Sequence, residues 1–210
     1  MHAVIRRAVR VLIVLSVIMP GGMLRAQEAR AAGLYRESYV LEAKRDYTGA
    51  LTKARDARAA GGNAYFSAIR IGWLEYLQGD FKASIASYSE AVATDPKAIE
   101  AKLGLTLPLL AQRNWRELER ACSAVLAVDG RNATALARLG LAQYSAGNFS
   151  GAEATYRRLT EDYPSEMDYR TGLGWALLKL GKSAEAKAIF DGVLAVSPDN
   201  VNAKAGLGVR

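Results

Sequence analysis

The chain has 210 residues, a formal net charge of +7, and a composition that is 50% hydrophobic and 23% charged. One or two folded domains fit this length, and the balance excludes both a disordered chain and an integral membrane protein. His2 and Cys122 are the only residues of their kinds, so a Cys/His zinc site, a Ser-His-Asp triad and a Cys-His pair each lack parts.

At the N-terminus, Arg6, Arg7 and Arg10 lead into an apolar run from Val11 to Met19, and Pro20-Gly21-Gly22 is expected to break any helix ahead of Ala26. This is a secretory signal layout, which puts the signal at 1–26 and the mature chain at 27–210. The small-x-small triplet Ala29-Arg30-Ala31 is a second cleavage option, farther from the apolar run. These nine residues, eight apolar ones and Ser16, fall well short of the roughly 20 that a membrane-crossing helix needs. Arg6-Arg7 is a weak twin-arginine feature, because Arg10 interrupts what should follow it. Removing 1–26 takes four of the 28 basic side chains and no acid, leaving 24 against 21 and a charge of +3. The basic balance then belongs mostly to the leader, and a nucleic-acid partner, which needs clustered Lys and Arg, is not expected.

Past the leader the chain repeats itself. GDFKASIASYSEAVATDP at 79–96 matches GNFSGAEATYRRLTEDYP at 147–164, an offset of 68, or twice 34. Blocks 31–64, 65–98, 99–132, 133–166 and 167–200 then align without insertion or deletion, and 201–210 begin a sixth. Position 8 of the blocks reads Ser38, Gly72, Thr106, Gly140, Gly174, and position 20 reads Ala50, Ser84, Leu118, Ala152, Ala186. These small residues let two helices of a block approach to roughly 8–10 Å. Each block predicts a first helix over about positions 2–14, stopped by Gly79, Gly147 or Gly181 at position 15, where positive φ is needed. Asp46, Asp80, Asn114 and Asn148 at position 16 can cap the second helix, and Pro96, Pro164 and Pro198 at position 32 close their blocks. Pro108 falls inside a first helix and is expected to kink it. Position 24 reads as a core column of Tyr88, Tyr156 and Phe190, with Cys122 as a small buried hydrophobe.

These columns resemble the tetratricopeptide repeat, with the small, aromatic, small and proline positions of that family falling in register over about 170 residues. Block 133–166 is the cleanest, carrying Leu139-Gly140, Gly147-Asn148-Phe149, Ala152, Tyr156 and Pro164. Glu37, Gly61-Gly62, Thr106, Leu118 and Gly130 depart from the pattern. The resemblance implies an all-α, right-handed superhelical solenoid, with first helices lining a concave groove. Stacking physics agrees: no block can bury its apolar faces alone, so the five form one domain.

Carried over position by position, the resemblance puts Tyr35, Arg36, Tyr39, Phe66, Arg70, Trp73, Tyr76, Arg138, Leu141, Tyr144 and Trp175 on the groove wall. Aromatic and Arg side chains are the types that dominate binding energy. Tyr76 and Tyr144 are better explained as packing, whereas for Trp73 and Trp175 at position 9, which packing does not need, the balance reverses. The family's Lys/Asn clamp for a terminal carboxylate is absent: Tyr35, Tyr39 and Arg70 stand in its positions. The phosphate-loop imitation ALLKLGKS at 176–183 lacks its first Gly and a preceding strand. No catalytic residue, metal or cofactor is expected. The resulting expectation is a periplasmic, non-catalytic scaffold that binds a protein or peptide in its groove. The alternative is an assembly subunit of an envelope export or exopolysaccharide secretion system, or the front part of a longer such protein, with peripheral membrane association.

Overall fold

The computed structural model describes residues 21–208, so most of the expected leader lies outside the described residues. Within them the chain is helical: α1 (Gly21–Ala43), α2 (Tyr47–Ala59), α3 (Ala64–Leu77), α4 (Phe81–Thr94), α5 (Ile99–Ala111) and α6 (Trp115–Leu126) come first. They are followed by α7 (Ala133–Ser145), α8 (Phe149–Asp162), α9 (Met167–Lys179), α10 (Ser183–Val196) and α11 (Val201–Gly206). Consecutive pairs correspond to the five blocks, and α11 opens the sixth. None of the described helices is long and apolar enough to cross a membrane.

The turn inside each block is built the same way five times. Position 15 has positive φ throughout, at Gly79 (79°), Gly147 (83°) and Gly181 (75°) but also at Arg45 (63°) and Arg113 (54°). The next amide reaches back to the carbonyl five residues earlier, as from Asp80 to Glu75 (3.0 Å) and Asn148 to Gln143 (2.8 Å), which satisfies a carbonyl left open at the helix end. Asp46, Asp80 and Asn148 then cap the second helices by accepting from Gly49, Ala83 and Gly151 at 2.9–3.0 Å. Asn114 has the same backbone angles but makes no cap bond. The first helices have their own caps, in which Asn63, Asn132 and Asn200 accept from Phe66, Ala135 and Ala203.

One local expectation needs correction. Gly21 and Gly22 lie inside α1, so this helix runs through the expected cleavage point after Ala26. The following Met23-Leu24-Arg25-Ala26-Gln27-Glu28-Ala29 are good helix formers, and their summed propensity outweighs a cost of about 1 kcal/mol per glycine. Residues 22–30 are nonetheless exposed, and burial begins at Ala31, where the first block begins. Where a kink is expected, α5 continues through Pro108 to Ala111, and the Pro108 carbonyl accepts from Gln112 at 3.0 Å. Pro108 removes one bond near the end of that helix and does not break it.

Positions 8 and 20 touch as expected. Ser38 Oγ donates to the Ala50 carbonyl (2.8 Å), and in the next block Ser84 Oγ donates to the Gly72 carbonyl (2.7 Å). Across blocks, α3 approaches α5, α5 approaches α7, α7 approaches α9 and α9 approaches α11, while the backbones of successive second helices stay farther apart and meet through long side chains, Arg58 on α2 with Glu90 on α4 and Arg157 on α8 with Glu185 on α10 (2.8 Å). First helices therefore crowd together on the inside of a curved array, and second helices spread along its back.

The seams between blocks come in two kinds. At one kind a ring from position 24 is clamped between two glycines, position 8 of its own block and position 6 of the next. Tyr88 lies between Gly72 and Gly104, Tyr156 between Gly140 and Gly172, and Phe190 between Gly174 and Gly206. A Cβ on Gly140 would sit 2.9 Å from the Tyr156 ring, and one on Gly172 only 2.6 Å from it. At the other kind, position 24 is small (Ala54 or Cys122), position 8 carries a hydroxyl (Ser38 or Thr106) and position 6 of the next block is an arginine. Arg70 donates to Ser38 Oγ from Nε (3.1 Å) and Nη2 (3.0 Å), and Arg138 donates to Thr106 Oγ1 and to the Leu103 carbonyl. The kinds alternate along the first four seams, which gives the 68-residue similarity a structural meaning. A second polar pair keeps the same period: Glu75 accepts from Ser87 (2.6 Å), and Gln143 accepts from Thr155 (2.8 Å).

Candidate partner-binding groove

The inner wall holds two cavities. The first, of 340 Å³, lies among α1, α3 and α5 and is lined by Tyr39, Glu42, Phe66, Ile69, Arg70 and Trp73, with Tyr88 and Glu100. The second, of 450 Å³, lies among α7, α9 and α11 and is lined by Leu141, Tyr144, Asp168, Thr171 and Trp175, with Tyr156 and Asn202. They are one site displaced by three blocks: Tyr39, Glu42, Phe66, Trp73 and Glu100 map onto Leu141, Tyr144, Asp168, Trp175 and Asn202. Both tryptophans singled out from sequence thus occupy the same place in two equivalent cavities.

Trp73 is more engaged with its neighbours than the sequence implied. Its indole N–H donates to Glu42 Oε1 across the block boundary (2.7 Å), and its ring stacks on Tyr76 at 5.7 Å. Trp175 meets the Phe190 ring edge-on at 5.7 Å. Both remain half-buried and so keep surface toward the cavity. Tyr76 and Tyr144 pack on the aromatic that opens their own second helix, Phe81 at 5.8 Å and Phe149 at 5.4 Å. Tyr35 hydrogen-bonds Ser67 (2.6 Å) and meets Phe66 edge-on (4.7 Å), tying α1 to α3.

The arginines divide. Arg70 is 4% exposed: it pairs with Glu42, bonds Ser38 and lies 3.8 Å from the centre of the Tyr39 ring. It is a strut between blocks 31–64 and 65–98 that only borders the cavity, since a buried guanidinium needs all of its donors occupied. Arg138 is half-buried, with burial lowering its pKa, and it holds the equivalent seam two blocks on. Arg36 is exposed and borders a different hollow, with Gly33, Glu37, Val40, Leu41 and Lys53, apart from the other predicted residues.

Two inner-wall residues escaped the reading of columns. Tyr88 and Tyr156 come from second helices, yet each reaches between its glycines into a cavity lined by first-helix residues. Burial and the nearby Glu100 carboxylate raise the Tyr88 phenol pKa, and burial with Asp168 pushes Tyr156 up to about 12. The available signal was Gly at position 8 followed 32 residues later by Gly at position 6. Cys122, as expected, is wholly buried, and burial pushes its thiol up to about 12. The groove thus offers aromatic faces, phenol hydroxyls and exposed carboxylates, which are means of recognition.

A family model described as tetratricopeptide repeat matches residues 35–99, 108–166 and 171–209. Among solved structures, a tetratricopeptide repeat protein from Parabacteroides merdae is similar at a TM-score of 0.78 and 19% identity, over 85% of this chain and 71% of its own. MamA from Desulfovibrio magneticus is similar at 0.75 and 17% identity, over 82% of this chain and 97% of its own. At these identities the likeness concerns the fold. The CTR9 homolog of Arabidopsis thaliana is 29% identical over 130 residues, which are 61% of this chain and only 12% of that protein. With the five blocks, their turns and the family match in agreement, the chain belongs to the tetratricopeptide repeat family, whose members generally mediate protein–protein interaction.

Proposed function

We propose that this protein is a non-catalytic scaffold of the bacterial cell envelope that holds a peptide or protein segment in its inner groove. The carrying observation is the pair of equivalent cavities around Trp73 and Trp175, set three blocks apart on one wall. One partner segment running across the first helices would meet both, and half-buried Trp gives large rigid contact area at small entropic cost. The periplasmic setting rests on the arginine-led apolar stretch of 1–26.

Photo-crosslinkers placed at the exposed groove positions Tyr39 and Leu141, with Arg116 on α6 as the outer-face control, test this in cells. Groove positions should give adducts that Trp73→Ala with Trp175→Ala abolishes; adducts from Arg116 alone would overturn the reading. N-terminal sequencing of the mature chain should begin at Gln27, and an intact Met1 terminus would remove the envelope assignment. A second reading, an assembly subunit of an envelope export or exopolysaccharide secretion system, is favoured by α11. Its Ala203 is buried and Gly206 lies against Phe190, in the register on which another block can stack. Membrane association that a salt wash reverses would select that reading.

A further inference from the structure

Two stations on the inner wall repeat each other at the 68-residue period. The first is Tyr76, Tyr88 and Glu100; the second is Tyr144, Tyr156 and Asp168. Tyr88 is 3% and Tyr156 9% exposed, and neither phenol is hydrogen-bonded among the described residues. No fully enclosed side-chain oxygen or nitrogen lacks a partner, so the small exposed part of each tyrosine includes its hydroxyl, which opens into the cavity. Beside each stands an exposed carboxylate, Glu100 or Asp168, that no Lys or Arg pairs among the described residues. Its charge is felt at the phenol, as is the neighbouring Tyr76 or Tyr144. Tyr65 also borders Glu100. By contrast Glu42, in the first cavity, is already committed to Arg70 and Trp73.

Packing does not require this arrangement. Phe190 fills the corresponding slot at the next seam without a hydroxyl. The phenol oxygen is the open end of an otherwise buried ring and is held in place to accept a hydrogen bond from an occupant of the cavity. An ammonium or guanidinium supplies several donors at once, neutralises the carboxylate and is attracted to aromatic faces.

We propose that the groove recognises an extended segment carrying two basic side chains, one seated at Tyr88 and Glu100 and the other at Tyr156 and Asp168. The proposal rests on the groove reading above and names the chemistry of its occupant. Neighbouring first helices lie about 8–10 Å apart, which separates the stations by about 16–20 Å. An extended chain rising about 3.3 Å per residue covers that distance in about five or six residues. Arg138 lies on the block between the stations, with Nη1 given to Thr106 and the Leu103 carbonyl. The middle of the segment is therefore neutral or acidic.

The test is selection of displayed random 12-residue peptides on the full chain. Peptides with two Lys or Arg five or six positions apart should be enriched. Glu100→Gln and Asp168→Asn should weaken a selected peptide about tenfold each, with helical content kept and melting lowered only slightly, since both side chains are exposed but stand in the first turns of α5 and α9. Glu100→Lys with Asp168→Lys should turn the selection toward acidic peptides. Enriched peptides that lack the basic pair, or that bind Glu100→Gln/Asp168→Asn as well as the unaltered chain, yet are lost with Trp73→Ala/Trp175→Ala, would overturn this proposal and leave the groove reading standing. No enrichment, or binding that survives both sets of changes, would overturn the two together.

Discussion

The seam between blocks 31–64 and 65–98 and the seam between blocks 65–98 and 99–132 fill the same slot with opposite chemistry. In the first, Ala54 leaves room that Arg70 occupies, bonded to Ser38 and Glu42. In the second, the Tyr88 ring fills the room and leaves no space for a Cβ on Gly72 or Gly104. What the slot conserves is volume, supplied either by a ring between two glycines or by a guanidinium beside a hydroxyl. A residue at one position is therefore intelligible only with its partners 16 and 32 residues away.

Breaking that rule at a ring seam should have the largest effect. Gly104→Arg places a long cation where the Tyr88 ring lies, and overpacking with an unpaired buried charge should cost at least about 3 kcal/mol or prevent folding. Adding Tyr88→Cys and Gly72→Thr converts the seam to the arginine kind, and the triple variant should recover most of the loss in urea unfolding. If the triple variant is no more stable than Gly104→Arg alone, the two kinds of seam are not interchangeable.

At the arginine seam, Arg70→Leu strands the Glu42 carboxylate with only the Trp73 N–H and should cost about 2–3 kcal/mol. Glu42→Met in the same chain removes the stranded charge and should restore much of the stability. Arg138→Leu, which leaves a hydroxyl and a carbonyl but no acid, should cost less, about 1 kcal/mol. Equal losses at the two sites would show that the Glu42 pair contributes nothing beyond packing.

Much of this architecture is legible in the sequence, because the block columns are local. Position 15 glycines, position 16 acceptors and position 32 prolines act within a few residues of their own turn, and Gly79, Asp80 and Pro96 lie where their chemistry predicts. The seams are not local. Arg70 and Arg138 read as groove residues because their hydroxyl partners lie 32 residues back, in another column of another block. Tyr88 and Tyr156 read as core for the same reason: the glycines that let them through lie on different helices. The 68-residue offset carried this information, but as a similarity between stretches rather than as a contact. Trp73 lines one of the inner-wall cavities, while its bond to Glu42 depends on a side-chain choice that no spacing reveals.

Alkaline pH tests both kinds of seam at once, with a smaller effect. Cys122 at an arginine seam and Tyr156 at a ring seam titrate at 9.0 and 10.0 when unperturbed but near 12 in the folded chain, and Tyr88 is raised as well. Between those values the folded chain keeps protons that the unfolded chain has released, so stability is intact below pH 9 and falls as pH rises toward 12. Between pH 8 and pH 10 the loss should be about 1–2 kcal/mol. Cys122→Ala should remove most of that slope, and Tyr88→Phe with Tyr156→Phe a large part of the remainder, copying the seam at Phe190 and leaving the smaller share of Tyr65, Tyr144 and Tyr169. An unaltered slope in the combined variant would place the sensitivity elsewhere.

The smallest effect concerns the turns. Blocks 31–64 and 99–132, which carry Ser38 and Thr106, are also the blocks that place Arg45 and Arg113 at the positive-φ position where the other three have glycine. Neither arginine makes an ion pair among the described residues, and both are exposed, so the side chains offer little to offset a conformation costing about 1–2 kcal/mol. Arg113→Gly relieves that strain and surrenders about 0.5–1 kcal/mol of backbone entropy, which leaves a gain of about 0.5 kcal/mol. Arg45→Gly should do the same, and Gly147→Arg the reverse. A higher urea midpoint for Arg113→Gly would show that the turn is strained independently of the seam behind it. A lower one would mean that the Arg113 side chain stabilises its block, and that the two-block alternation extends from the seams to the turns.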